Sequence, residues 1–341
     1  MKAVVLYGPN DVNVGELPVL PVGEYDVRVK VAYCGICGSD FHKVAGKKNT
    51  HPVKYPVALG HEISGVVDAV GEKVNDFHVG DKVTVDPNWS CGKCRYCKSG
   101  KSSFCENGRG VVKGMAEYVV SPVENVYHVP EKLPLRSATL TEPLACCLRG
   151  MDMLDIRQGE SVCLIGFGAI GAIMLQLIKH SGAGEIAVIE YNEERRALAE
   201  ELGADVFLPS QDAEAIEKYA SEHIVDKVIE CVGHPAVHEM AIKVAGRGAT
   251  VVMFGVADSA IKTPISFYDA FSKELTIKTS YVNPHTTERA VRLLASGAIN
   301  VEKTLSAVIT MEEAVEEFRH PVYSKRGKVL VAVNPTLEKN S

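Results

Sequence analysis

The sequence predicts an α/β protein of two parts, a doubly wound parallel sheet and a smaller strand-rich domain. Three observations carry this expectation. From about residue 147 to 284 short apolar strand-like runs alternate with helical runs, the pattern of a parallel sheet with crossover helices. Residues 1 to 146 instead alternate short β-like runs with Gly, Pro and Asp turns, which suggests a barrel-like unit. The length, 341 residues, exceeds that of a usual single domain. The expected division is 1–146, 147–284 and a C-terminal part, 285–341.

The elements follow in order. The chain begins with the strand-like Lys2-Ala-Val-Val-Leu-Tyr, and Asp26–Ala32 and Ile63–Val70 repeat the pattern. In the second part the strand candidates are 161–165, 185–190, 205–208, 226–231, 249–254 and 275–279. Helices are expected over 170–181 and 192–202, the latter stopped by Gly203. A helix near 286–296 and strands near 306–310 and 327–333 close the chain, and the polar tail from Asn334 reads as loose.

Composition excludes several classes. Hydrophobic residues make up 46% and charged residues 23%, as in ordinary globular proteins. Net charge is −6, with no basic tract or aromatic-basic platform, so nucleic acid is not an expected partner. No apolar run is long enough to span a membrane, and the N-terminus lacks a signal-peptide pattern. Ten cysteines, half of them in metal-type groupings, fit a reducing cytoplasm. Cys34, Cys146, Cys147, Cys163 and Cys231 stand outside those groupings and read mostly as buried small hydrophobes.

The densest chemical signal is Cys91-Gly-Lys-Cys94-Arg-Tyr-Cys97, with Cys105 eight residues on. Two-residue gaps let one loop aim three thiolates at a point, and Cys105 completes a tetrahedron. Zn²⁺ favours such a closed four-sulfur site for a structural role. No position is left there for substrate, so catalysis needs a second, open site.

The second signal is Gly166-Phe-Gly168-Ala169-Ile170-Gly171 between a strand-like and a helical apolar run. Gly166 permits the turn, Gly168 lets the backbone approach a pyrophosphate, and Gly171 lets helix and strand pack closely. Ala169 and Ile170 open the helix, whose N-terminus faces the phosphates. Glu190 ends the next strand, where an acid is expected on the ribose hydroxyls; this favours NAD over NADP. Arg195 and Arg196 begin the next helix and either reach the adenosine or are solvated.

A third group is scattered: Cys37 in Gly-Ile-Cys37-Gly-Ser39-Asp40-Phe-His42, then Gly60-His61-Glu62, then Glu142-Pro-Leu-Ala. A thiolate, an imidazole and one or two carboxylates suit an open catalytic zinc site. Spacing alone does not join residues so far apart.

Together these motifs, with Met1-Lys-Ala-Val-Val, Val-Gly80-Asp-Lys-Val and Ala116-Glu-Tyr-Val-Val, resemble the zinc-dependent medium-chain alcohol dehydrogenases. The resemblance covers nearly the whole chain and points to the sorbitol, threonine and polyol dehydrogenase branch. It implies a GroES-like catalytic domain, a Rossmann domain, and a tail that returns to the first domain, with the active site in the cleft between them. It implies one catalytic and one structural Zn²⁺, NAD, and a homodimer or homotetramer. Cys37, His61 and Glu62 are the implied catalytic ligands, and Glu142 either binds the metal or holds its water. Ser39 is the implied proton relay and His42 the next station, while Asp40 supports the site from behind. Val232, Gly233, Phe254, Gly255 and Tyr281 are implied along the nicotinamide half.

The implied reaction moves a hydride between a secondary alcohol and NAD. Pro87, Asn88 and Trp89 precede the cysteine lobe and are expected at the pocket. A small ring at Pro87 leaves room for two substituents, and Asn88 offers hydrogen bonds to extra hydroxyls. A polyol, sugar or sugar acid is therefore favoured. L-Threonine, a simple secondary alcohol, a zinc-free reductase and a non-catalytic nucleotide-binding relative are the alternatives. One departure from the family stands out. Glu106–Met115 is short and lacks the usual Gly-Gly-Phe ending, so the pocket is expected to be more open or differently lined.

Overall fold

The computed structural model describes residues 1–47 and 53–338. The chain forms two compact units, Met1–Ala145 with Asn283–Ser341, and Cys146–Val282. It passes from the first to the second inside the helix Thr141–Leu154.

The first unit is built on a mostly antiparallel sheet. Its order is Val126–His128, Lys82–Val85, Glu62–Val70, Asp26–Gly35, Lys328–Ala332 and Leu305–Ile309, with Tyr118–Pro122 also paired to Asp26–Gly35. A three-stranded sheet, Asp11–Glu16, Lys2–Gly8 and Val57–Ala58, lies apart in the pairing scheme. Strand interiors are Val- and Ile-rich, and Val4, Val27, Val29, Val31, Ile63 and Val83 are fully buried. Each such side chain contributes about 1.5–3 kcal/mol by leaving water.

Register decides where the chemistry goes. Gly35 stands opposite Glu62, and Cys34 opposite Ile63. The late strand pairs antiparallel with the same element, Leu330 opposite Gly35 and Val331 opposite Cys34. Ile36 N then donates to Val329 O at 2.9 Å. These pairings bring Lys328 to the end of the strand that leads into Cys37.

Buried polar groups tie the C-terminal part to this unit. Asp86 Oδ2 accepts from Thr287 Oγ1 at 3.0 Å and Asp86 Oδ1 from Asn88 N at 2.9 Å. Asn88 Nδ2 donates to Asn283 Oδ1 at 2.7 Å. The sequence marks the tail from Asn334 as loose, and the structure corrects this. Pro335–Glu338 forms a short 3₁₀ turn. Both carboxylate oxygens of Glu338 accept backbone N–H groups, from Leu135 at 3.0 Å and Arg136 at 2.9 Å, which are unsatisfied donors at a helix start. Residues 339–341 lie outside the described residues.

The second unit is a six-stranded, all-parallel sheet. Its order is Val206–Pro209, Ile186–Glu190, Val162–Ile165, Lys227–Glu230, Thr250–Met253, Thr276–Thr279. In chain order that is 3-2-1-4-5-6, the doubly wound arrangement, with its switch point between the first and fourth strands. The central strands are largely buried and mostly apolar, with charged residues only at the ends, Lys227, Glu230 and Glu190. The expected helices appear as Ala169–His180 and Arg196–Leu202, the second ended by Gly203 at φ +113°. Among the described residues no helix is long and apolar enough to cross a membrane.

Candidate metal centres and dinucleotide turn

Cys37, His61 and Glu62 converge. One donor atom from each lies within 4.8 Å of the others. Cys37 precedes the helix Gly38–Val44, and Asp40 in its first turn accepts from the Cys37 amide at 3.1 Å, which fixes the entry to the helix. The other Asp40 oxygen accepts from Gly60 N at 3.3 Å and stands 3.7 Å from His61 Nδ1. Asp40 is fully buried. Burial opposes its ionisation, yet His61 and Lys43 hold its carboxyl well below the usual range. One buried carboxylate thus aligns both halves of the donor set.

The donor set carries a deficit that a cation would fill. Among the described residues, Glu62 Oε2 is buried and makes no hydrogen bond, while the buried His61 Nδ1 faces Asp40 rather than the cluster. Such an orphan is costly in a folded interior. Burial works against a charged His61, but Asp40 and the Cys37 sulfur push its pKa up. A thiolate, an imidazole and a carboxylate are a ligand set suited to an open zinc site. The residues present therefore fit a metal ion.

Lys328 is the residue that sequence reasoning missed. Its Nζ donates to Ile36 O at 2.9 Å and pairs with Glu62 Oε1 at 2.5 Å, and both side chains are buried. Burial disfavours the ammonium, but Glu62 and Cys37 raise its pKa above the usual lysine value. The signal in the sequence was a lone cation heading an apolar strand, Lys328-Val-Leu-Val-Ala, where a lysine is rare unless paired.

Glu142 sits in the first turn of Thr141–Leu154 and is buried, but it is not one of the three gathered donors. Burial pushes its carboxyl up to about 7, with His61 pulling the other way and Glu62 adding to the rise. Ser39 and His42 share the helix Gly38–Val44, both half-buried, three residues apart and so on one face.

The four lobe cysteines also converge, their sulfurs all within 4.8 Å. Cys94 Sγ lies 3.5 Å from Cys97 Sγ and 3.9 Å from Cys105 Sγ. A tetrahedron with Zn–S bonds of about 2.3 Å has edges of about 3.8 Å. The Asn107 amide, then the Lys93 and Cys94 backbone N–H groups, bring the Cys91 thiol down to about 6, toward the ligating thiolate. The lobe fits a closed zinc site. None of the ten cysteines is in a disulfide; Cys34, Cys147 and Cys163 are buried, Cys146 and Cys231 half-buried.

The neighbourhood of the lobe is tied to itself. Asn88 spends its amide on Asn283, and Trp89 Nε1 donates to Glu124 at 2.8 Å. Asn88–Trp89 pair with Arg109–Gly110 of the short loop, and the Arg109 guanidinium lies 4.8 Å over the Trp89 ring. Val111 N donates to Pro87 O at 2.9 Å.

In the second unit the glycine turn has the form that its sequence requires. Gly166 has φ +91° and leads from strand to turn. A Cβ on Gly171 would lie 2.1 Å from Gly166 O, so only glycine fits there. A Cβ on Gly168 would meet nothing nearer than Arg195 Nη1 at 3.8 Å. That leaves open space over the N-terminus of Ala169–His180, where a pyrophosphate would sit. Ala169 and Ile170 form its first turn. Glu190 is buried and turned into this loop. It accepts from Phe167 N at 2.6 Å and Asn192 N at 2.9 Å, with Arg195 Nη1 3.4 Å away. Arg195 also donates to Phe167 O at 3.1 Å. The acid therefore braces the turn and is part-neutralised by Arg195, a geometry that the sequence did not reveal. Arg196 is bound to Glu193 and Phe207 O.

Comparison with known proteins agrees with this architecture. A family model described as an alcohol dehydrogenase GroES-like domain matches residues 23–131, and one described as a zinc-binding dehydrogenase matches 169–296. A sorbitol dehydrogenase from Halalkalibacterium halodurans is 32% identical over 92% of this chain and 94% of its own. A putative zinc-binding dehydrogenase from Sinorhizobium meliloti, solved bound to NADP, matches with TM-score 0.91 and 34% identity over 97% of this chain and 98% of that one. Galactitol-1-phosphate dehydrogenase from Escherichia coli matches with TM-score 0.88 and 29% identity over 97% and 100%.

The Glu62–Lys328 pair yields a test. In metal-stripped protein, Lys328→Met leaves a buried carboxylate uncompensated and should lower unfolding stability by about 3 kcal/mol. Adding Glu62→Gln should restore most of that, as read from urea denaturation of the full cycle. A loss in the double variant equal to the sum of the two single losses would show that the pair is not coupled.

With its two metal-type clusters, its glycine turn and its matches along nearly the whole length, the chain belongs to the zinc-binding, medium-chain alcohol dehydrogenase family, in the polyol dehydrogenase branch.

Proposed function

We propose that the protein is an NAD-dependent dehydrogenase that oxidises a secondary alcohol of a polyol, sugar or sugar acid to the ketone. The observation that carries the reading is the convergence of Cys37, His61 and Glu62, drawn from separate motifs, with the buried Glu62 Oε2 left unsatisfied. A zinc ion held there would supply Lewis acidity that lets an alcohol lose its proton near neutral pH, and the nicotinamide would take the hydride.

The chain's own residues do the rest. Asp40 holds the Cys37 amide and faces the His61 ring, so ligand geometry is set before substrate arrives. Ser39 accepts the alcohol's proton and hands it to His42 on the same helix face. Glu142, with a carboxyl pushed to about 7 by burial, serves beside the three ligands, either on the metal or on its water. Cys91, Cys94, Cys97 and Cys105 hold a structural zinc. Gly166, Gly168, Ala169, Ile170 and Gly171 receive the pyrophosphate; Glu190 and Arg195 face the adenosine ribose; Val232, Gly233, Phe254, Gly255 and Tyr281 line the nicotinamide half.

The polyol assignment draws support from the sorbitol dehydrogenase relative and from a 32%-identical D-arabitol-phosphate dehydrogenase of Enterococcus avium. NAD is favoured because an acid at position 190 opposes a 2′-phosphate. Arg195, 3.4 Å from that acid, favours NADP as the second reading. The ten cysteines, none of them in a disulfide, support a cytoplasmic setting.

Activity decides between these. The zinc-loaded protein is assayed with NAD and NADP in parallel, over sugar alcohols, their phosphates, sugar acids, simple secondary alcohols and threonine. A polyhydroxy substrate should turn over with NAD, and Cys37→Ala should lower kcat/KM by about a thousandfold or more. Full activity in Cys37→Ala would point to the zinc-free reductase, and turnover with NADP alone would reverse the reading of Glu190.

The assembly we propose is a homodimer, or a homotetramer built from it. Thr276–Thr279 is an edge strand with exposed residues. Beside it in sequence, the helix Phe267–Ser272 exposes Phe267 by 82%, Tyr268 by 77% and Phe271 by 82%. An open edge next to aromatic surface invites a self-complementary second copy. Phe271→Glu should shift the light-scattering mass to that of one chain; an unchanged mass would place the interface elsewhere.

A further inference from the structure

Glu230 ends the fourth strand of the parallel sheet, at the switch point, and is fully buried. Its Oε2 accepts from Val232 N at 3.0 Å and Gly233 N at 2.8 Å, in the loop that follows its own strand. Its Oε1 accepts from Gly255 N at 3.0 Å, in the loop that follows the neighbouring strand Thr250–Met253. Its backbone oxygen accepts from Phe254 N at 3.1 Å and Gly255 N at 3.0 Å. One residue therefore holds two loops that come from different strands.

The two loops meet backbone to backbone. A Cβ on Gly255 would lie 2.1 Å from Gly233 N, so neither loop can shift without the other. Val232 in turn reaches the glycine turn: a Cβ on Gly166 would lie 2.5 Å from Val232 Cγ2. Behind the carboxylate stands buried His238 on the helix Pro235–Val244. Its Nε2 lies 3.4 Å from Glu230 Oε1, and its Nδ1 lies 2.9 Å from Thr263 Oγ1. Thr263 belongs to the irregular segment beyond the second loop. Val232 and Val256, 49% and 79% exposed, are the apolar side chains that these loops present.

A carboxylate that accepts several backbone N–H groups is a rigid connector, because each bond is charge-assisted and the group is shielded from water. We propose that Glu230, held by backbone N–H groups of both loops and with the Thr263-bound His238 ring close behind it without a hydrogen bond, is a positioning residue that sets the two nicotinamide-side loops in one geometry relative to the glycine turn. It touches no reacting atom. The proposal rests on the dinucleotide reading above. It implies that the nicotinamide half of the cofactor site can be loosened while the adenosine half stays intact.

The test uses two ligands that separate the halves. NADH spans the whole site, and ADP-ribose reaches only the glycine-turn half. Glu230→Gln converts one acceptor into a donor, so one loop loses its tie. Calorimetry should find NADH bound about tenfold more weakly or worse by this variant, with ADP-ribose within about twofold of wild type. In turnover, KM for NAD should rise while KM for the alcohol stays near wild type. Thr263→Val, which keeps shape and removes the hydroxyl, should weaken NADH by about threefold and leave ADP-ribose unchanged; it carries the test if Glu230→Gln does not fold. Equal losses for both ligands, or no loss for NADH, would overturn the proposal. If wild type binds neither ligand, the dinucleotide reading fails first and the clasp falls with it.

Discussion

The catalytic unit depends on one buried carboxylate. Asp40 takes the Cys37 amide on one oxygen and the Gly60 amide on the other, and the second oxygen also faces His61. The paired strands Asp26–Gly35 and Glu62–Val70 bring Cys37 and His61 near each other, but both residues lie just past the ladder, where backbone pairing no longer holds them. Asp40 supplies the missing connection. A charge with no access to water is costly, and it persists here because two amides, His61 and Lys43 surround it. Lys328 does the same for Glu62 from the opposite end of the chain. The donor set is thus held by oppositely charged neighbours rather than by apolar packing, as suits residues that must present lone pairs to a cation.

A similar device recurs in the second unit with different chemistry. Glu190 and Glu230 both end strands of the parallel sheet, and both turn their carboxylates onto backbone N–H groups of the following loops. Loops at the carboxyl end of such a sheet carry the ligand, and their amides need partners when the ligand is away. A buried acid at the strand end meets that need without filling the space above the loop. Gly168 keeps that space open, since a side chain there would reach only the far end of Arg195.

Much of the fold was legible in the sequence. Apolar runs four to five residues long between helical stretches mark the parallel strands, and Gly203 marks a helix end by the conformation that it adopts. The four-cysteine lobe was legible from spacing alone. The gathering of Cys37, His61 and Glu62 was not: Cys37 and His61 lie on different elements, and only the resemblance joined them. Lys328 stayed hidden because its partner, Glu62, is 266 residues away and its strand reads as ordinary core. The tail looked loose because a polar segment gives no sign that Glu338 caps the amides of Leu135 and Arg136. Each miss is a long-range polar contact, which periodicity cannot report.

The central claim is that two distinct groups of side chains are built to hold metal, one closed and one open. Metal analysis of protein loaded with zinc and freed of excess tests it most directly. The account predicts two equivalents per chain, one in Cys37→Ser with the fold retained, and one in Cys97→Ser. One equivalent in the wild-type protein, unchanged in Cys37→Ser, would contradict it.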